Sequence, residues 1–104
     1  MVEFKGLGYV TVATAGTPVP VSSTQIITPG CLIQAAKTNS GLIYVGGANL
    51  NGTTGRAHEI SAGEAVEIVG PGISGSEEEI NLAQLKIDAA NDGDKVLVSY
   101  FIRS

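Results

Sequence analysis

The 104-residue chain has no tryptophan, one methionine and a single cysteine, Cys31. A lone cysteine cannot close an internal disulfide, so burial and hydrogen bonds alone must hold the fold. Charge is sparse as well: 15% of residues are Asp, Glu, Lys or Arg, against about 25% in an average globular domain. Six basic residues against ten acidic ones leave a net charge of −4. That balance provides no basic stripe for phosphates and argues against nucleic acid as a partner. Three tyrosines and two phenylalanines are the only aromatics, too few to favour a sugar-binding cleft. No apolar run approaches the roughly 18 residues of a membrane span. The opening Met-Val-Glu-Phe-Lys-Gly-Leu-Gly-Tyr also lacks the basic and apolar regions of a secretory signal. The expectation is a protein made in a reducing cytosol, neither embedded in a membrane nor exported by that route.

What is present is glycine and turn vocabulary. Fourteen glycines and four prolines punctuate short apolar runs, as in all-β chains whose tight turns join short strands. The length suits one domain of two packed layers. The most distinctive stretch runs from Gly41 to Gly55. Leu42-Ile43-Tyr44-Val45 favours a pleated, half-buried strand, and Gly46-Gly47 opens a polar, glycine-rich loop suited to adapt to a protein partner. Upstream, Tyr9 to Ala13 predicts a first strand, closed by Gly16. Pro18 and Pro20 remove ladder donors from residues 17–23, which must form an edge strand or an extended arm. Cys31 to Lys37 alternates, with Cys31, Ile33 and Ala35 on one face. The turn Thr38-Asn39-Ser40-Gly41 predicts an antiparallel hairpin between that strand and residues 42–46.

In the second half, Glu64 to Val69 places Val66 and Ile68 inward. Ser76 and Glu79 have the spacing of a capping box, so one short helix is predicted over residues 77–83. Leu85 to Ala89 alternates again, and Asn91-Asp92-Gly93-Asp94 turns the chain into Lys95 to Ile102. This last strand carries Val96, Val98, Tyr100 and Ile102 on one face and Leu97 and Phe101 on the other. Apolar groups on both faces predict a central position in a sheet. About seven strands, with turn signals roughly every 8 to 12 residues, predict a single-domain antiparallel β-sandwich or jelly-roll-like barrel over residues 1–104.

Side-chain chemistry is thin. His58 lies near Glu59, Glu64 and Glu67 in sequence, but a zinc site draws three or four ligands, with His and Cys prominent, and the chain has one of each. Cys31 opens an apolar strand with no base beside it in sequence and reads as a small buried hydrophobe. Asp88, Asn91, Asp92 and Asp94 offer clustered oxygens for a hard cation, yet Asn-Asp-Gly-Asp is also what a tight β-turn requires. No catalytic, cofactor or metal site is expected. The informative constellation is apolar: Pro18, Pro20, Ile26, Ile27, Leu97 and Phe101 are the candidate residues of a protein interface.

Five ordered blocks carry a family resemblance. They are Ala15-Gly16-Thr17-Pro18-Val19-Pro20-Val21-Ser22, Asn39 to Asn49 with Gly41-Leu42-Ile43-Tyr44-Val45-Gly46-Gly47 at its centre, Ser61-Ala62-Gly63-Glu64-Ala65-Val66-Glu67-Ile68, Leu85-Lys86-Ile87-Asp88-Ala89-Ala90, and Gly93-Asp94-Lys95-Val96-Leu97-Val98-Ser99-Tyr100. Together they resemble small virion structural proteins of tailed bacteriophages, most closely capsid decoration, or cement, proteins. The resemblance implies a compact β-sandwich or jelly roll, a homo-oligomer, often a trimer at a local symmetry axis, and binding to the major capsid protein on the outside of the head. It transfers no catalytic residues. The segment from Gly70 to Asn81 looks like an insertion relative to that pattern. A head-fibre or tail component, or a module that recognises a receptor or carbohydrate, is the alternative expectation.

Overall fold

Runs of β-branched and small apolar residues between glycine turns build ten strands among the residues that the computed structural model describes, 2–47, 49–51, 54–69 and 80–103. They are β1 Val2–Thr11, β2 Val19–Pro20, β3 Ile27–Thr28, β4 Gly30–Ala35, β5 Ile43–Gly46, β6 Arg56–Ile60, β7 Ala65–Val69, β8 Ile80–Asn81, β9 Lys86–Ala89 and β10 Lys95–Arg103. Their pairing nests from the outside in. β1 pairs with β10, β2 with β9, β3 with β8, β4 with β7 and β5 with β6, all antiparallel. The chain is therefore one long hairpin whose tip is the loop between β5 and β6. It rolls up so that β10 also pairs with β4 and β9 also pairs with β5. Two four-stranded sheets result, in the orders β1-β10-β4-β7 and β2-β9-β5-β6, with β3 and β8 as a small third pair. This is a jelly roll, an all-β sandwich in which consecutive segments pass from one sheet to the other.

The core lies between the inner faces. Cys31, Ile33 and Ala35 of β4 meet Val96, Val98 and Tyr100 of β10 on one side, and Ile43, Val45, Ile87 and Ala89 line the other. Val66 and Ile68 pack against this cluster from β7, while Ala65 and Glu67 face outward. Each fully buried Ile or Val contributes about 1.5 to 3 kcal/mol by leaving water. Burial also raises the Cys31 thiol from 9.0 to about 11, because the thiolate would lose its hydration. Cys31 is accordingly inert. Iodoacetamide at pH 8 is expected to label it only as fast as the protein unfolds, and labelling at the rate of a free thiol in the folded state would contradict this burial. The neutral thiol's contribution to stability is complete below the unfolded thiol pKa and fades as pH rises towards about 11.

The predicted hairpin between β4 and β5 does not form. Both edges of β4 are taken, by β10 and β7, and β5 lies in the opposite sheet. The connection arches between the sheets because its backbone is bonded elsewhere. The Asn39 side chain donates to the Lys95 carbonyl at 2.8 Å and accepts the Lys95 N–H at 2.9 Å. Asp94 accepts the N–H groups of Ser40 and Gly41 at 3.1 and 3.0 Å. The first strand also begins earlier than its pattern predicts and ends at Thr11, leaving Ala13 outside it. Of the predicted helix over residues 77–83, Ile80–Asn81 is strand and a turn follows, with the Asn81 side chain accepting the Ala83 N–H at 3.0 Å. The capping-box residues Ser76 and Glu79 and most of the Gly70 to Asn81 segment lie outside the described residues.

The described residues of the glycine-rich tip, Gly46, Leu50 and Gly55 among them, pack closely. Leu50 is buried, and its N–H donates to the Gly47 carbonyl at 3.0 Å. Asn51 and Thr54 bond each other through backbone and side chains. A Cβ on Gly46 would overlap the Gly55 carbonyl, and one on Gly55 would overlap the Asn49 backbone. Gly55 also holds φ +81°, a conformation that costs an L-residue about 1 to 2 kcal/mol before any overlap. Gly55→Ala is expected to lose more than about 2 kcal/mol of stability in urea unfolding. An unchanged midpoint would mean that the tip is loose after all.

Candidate binding face

The two outer faces of the sandwich differ in character. On the β2-β9-β5-β6 sheet the outward residues are mostly polar or charged, with Pro20, opposite Lys86, an apolar exception. Arg56 lies 3.7 Å above the Tyr44 ring and 3.9 Å from Glu59. Asp88 is covered by the loop after β1, where its Oδ1 accepts the Gly16 N–H at 3.0 Å and the Ala89 N–H at 2.8 Å, while Oδ2 is buried with no hydrogen-bond partner among the described residues.

The β1-β10-β4-β7 sheet turns aromatic and aliphatic groups outward. Register sets Phe4 opposite Phe101, Tyr9 opposite Leu97 and Thr11 opposite Lys95, while Ser99 faces both Gly6 and Leu32. The rings of Phe4 and Phe101 stand 5.1 Å apart at 56°, in the tilted range that aromatic pairs prefer. Lys95 Nζ lies 4.7 Å from the centre of the Tyr9 ring. Phe4 is 56% exposed, Tyr9 61% and Leu97 40%. Beside them lies an open, shallow depression of about 290 Å³ lined by Tyr9, Gln34, Lys37, Thr38, Lys95 and Leu97. The paired strands fix the backbone that presents these groups, so no backbone ordering is needed on binding.

Leu97 and Phe101, anticipated as interface residues, both lie on this face, beside Tyr9 and Phe4 respectively. The other candidates lie elsewhere. Pro18 precedes β2 and Pro20 ends it, at an edge where β2 pairs only with β9 among the described residues, beside an open groove of about 450 Å³ between β1 and β2. Ile26 packs against the core, and Ile27 is 48% exposed on β3. Pattern reading did not pick out Phe4 and Tyr9, and the cause is local. Five residues apart, they would fall on opposite faces of a regular strand. A bulge between Gly6 and Gly8, with Gly8 at φ +103°, shifts the register by one residue and turns both to the same side.

Four of the carboxylates weighed for chemistry, Glu64, Asp88, Asp92 and Asp94, accept backbone N–H groups. Asp92 accepts the Ala15 N–H at 2.7 Å, and Asp94 holds the arch. Hydrogen bonds from the Ser61 backbone and hydroxyl keep the Glu64 carboxyl below its ordinary pKa. His58 and Glu59 are exposed on β6. Among the described residues no three His, Cys, Asp or Glu side chains gather as metal ligands, and no helix is long and apolar enough to cross a membrane.

Comparison of the chain with known protein families, with curated proteins and with solved structures returns no match. The fold and the face define a class on their own terms: a small jelly-roll domain with one polar and one aromatic outer surface.

Proposed function

We propose that this protein acts by binding other proteins, without chemistry of its own, as a structural component of a phage virion. In this reading it is a capsid decoration protein that sits outside the head as a homo-oligomer and bridges neighbouring copies of the major capsid protein. The observation that carries the binding role is the exposed Phe4, Tyr9 and Leu97 face on a rigid sheet. Clustered aromatic and aliphatic groups of this kind anchor protein interfaces, whereas small-molecule sites are deep and enclosed. The virion setting rests on the five blocks that resemble cement proteins.

The role has a simple energetic logic. A protein that binds only the expanded lattice stabilises that state by mass action. Many modest contacts, repeated within an oligomer, add up through avidity. The test is co-sedimentation with heads of the phage that encodes the chain. Saturable pelleting with expanded heads, and little with unexpanded ones, is the expected result. A chain that stays in the supernatant with both, and is missing from purified virions, would overturn the reading.

A further inference from the structure

The ten-residue strand β1 is an edge: β10 covers one side, and among the described residues no strand covers the other. Glu3 to Leu7 are consecutively exposed. A long open edge of this kind is a template for another strand unless its side chains forbid pairing. Here the side chains restrict the pairing to one register. Glu3 and Lys5 flank Phe4 symmetrically, and neither makes an ion pair within the chain among the described residues.

We propose that two copies of this protein pair antiparallel through the straight segment from Val2 to Gly6, about a twofold axis at Phe4. In that register Glu3 faces the second copy's Lys5 and Lys5 faces the second copy's Glu3, so both cross-strand pairs attract. Sliding by two residues one way sets Glu3 against Glu3, and sliding the other way sets Lys5 against Lys5. Like charges directly opposite are destabilising. A slip by one residue sets the charges against uncharged neighbours and joins the outer face of one copy to the inner face of the other. The bulge between Gly6 and Gly8 ends the straight segment and prevents the pairing from running on along the strand.

The product is one continuous eight-stranded sheet. Each Phe4 then stands opposite the other, adding to the Phe4 and Phe101 ring pair within each copy. The two aromatic outer faces merge into a single surface of twice the area. The contact is argued from β1 alone and does not rest on the shell-binding reading. Its strand segment is short, so the association is concentration-dependent and of the small-interface kind.

Sedimentation velocity of the isolated full chain, over a wide concentration range and without phage heads, tests it. Wild type is expected to shift from monomer to dimer with concentration. Lys5→Glu and Glu3→Lys are each expected to weaken the dimer about tenfold or more. The double variant Glu3→Lys/Lys5→Glu restores both attractive pairs and is expected to recover the wild-type affinity. Mixing the two single variants should yield a heterodimer, because all-glutamate and all-lysine edges complement each other in this register. Circular dichroism confirms the fold of each variant. Wild type that stays monomeric throughout, single variants that dimerise like wild type, a double variant that stays weak, or a trimer as the terminal species would each overturn the proposal.

Discussion

Asp94→Ala is expected to lower the melting temperature by about 10 to 20 °C, corresponding to about 3 kcal/mol in a domain of this size. Asp94 is 6% exposed. Its carboxylate accepts the backbone N–H groups of Ser40 and Gly41 and lies 3.4 Å from the Ser40 hydroxyl. Alanine leaves two backbone donors without this acceptor at the arch that carries the chain from β4 in one sheet to β5 in the other. Unmade hydrogen bonds in a protected site cost more than made ones contribute. The same arch is held by the reciprocal Asn39 and Lys95 bonds, so the loss propagates to the start of β10, the central strand. Asp94→Asn keeps one acceptor oxygen and should fall about halfway. A thermal scan of both variants checks this, and an Asp94→Ala protein that melts with wild type would show that the arch is held by other means.

The second large effect is on binding. Leu97→Glu combined with Tyr9→Glu is expected to weaken association with expanded heads about thirtyfold or more, the loss typical when anchor residues are removed from an interface. Both side chains are exposed in the isolated protein, so the fold should survive with a melting temperature close to wild type. A matching pair of changes on the opposite sheet, Glu59→Lys with Lys86→Glu, should leave binding within about twofold, because rim and distant charges contribute little. Equal losses from the two pairs would mean that the aromatic face is not the docking surface.

The layered β architecture was legible in the chain for specific reasons. Val96, Val98 and Tyr100 alternate with Leu97, Ser99 and Phe101, and a strand apolar on both sides belongs in the middle of a sheet, where β10 lies. Val66 and Ile68 likewise point inward as their alternation requires. Pairing was less legible, because it depends on contacts remote in sequence. Nothing in Thr38 to Gly41 announces that Asp94 and Lys95, more than fifty residues away, will take up its backbone groups. A hairpin was the natural local reading, and a non-local network displaced it. The aromatic face was half legible for a related reason. Leu97 and Phe101 follow strand periodicity, but Phe4 and Tyr9 share their face only through the bulge at Gly6 and Gly8. The glycines mark a possible irregularity without giving its sign. Leu50 shows the same limit, since a single leucine in a polar loop does not reveal that it will be buried.

The nested pairing also gives the glycine-rich tip its meaning. In a rolled hairpin the tip joins β5 to β6, and the close backbone approach at Gly46 and Gly55 sets the register of that innermost pair. Close packing at Gly46, Leu50 and Gly55 is therefore an architectural requirement rather than a ligand cradle.

Oxidative labelling of surface side chains, with the protein free and bound to expanded heads, tests the central claim most directly. Protection concentrated at Phe4, Tyr9, Leu97 and Phe101, with Tyr44 and His58 labelled equally in both states, is the predicted result. Protection centred on Tyr44 and His58, with the aromatic face still open in the bound state, would contradict it.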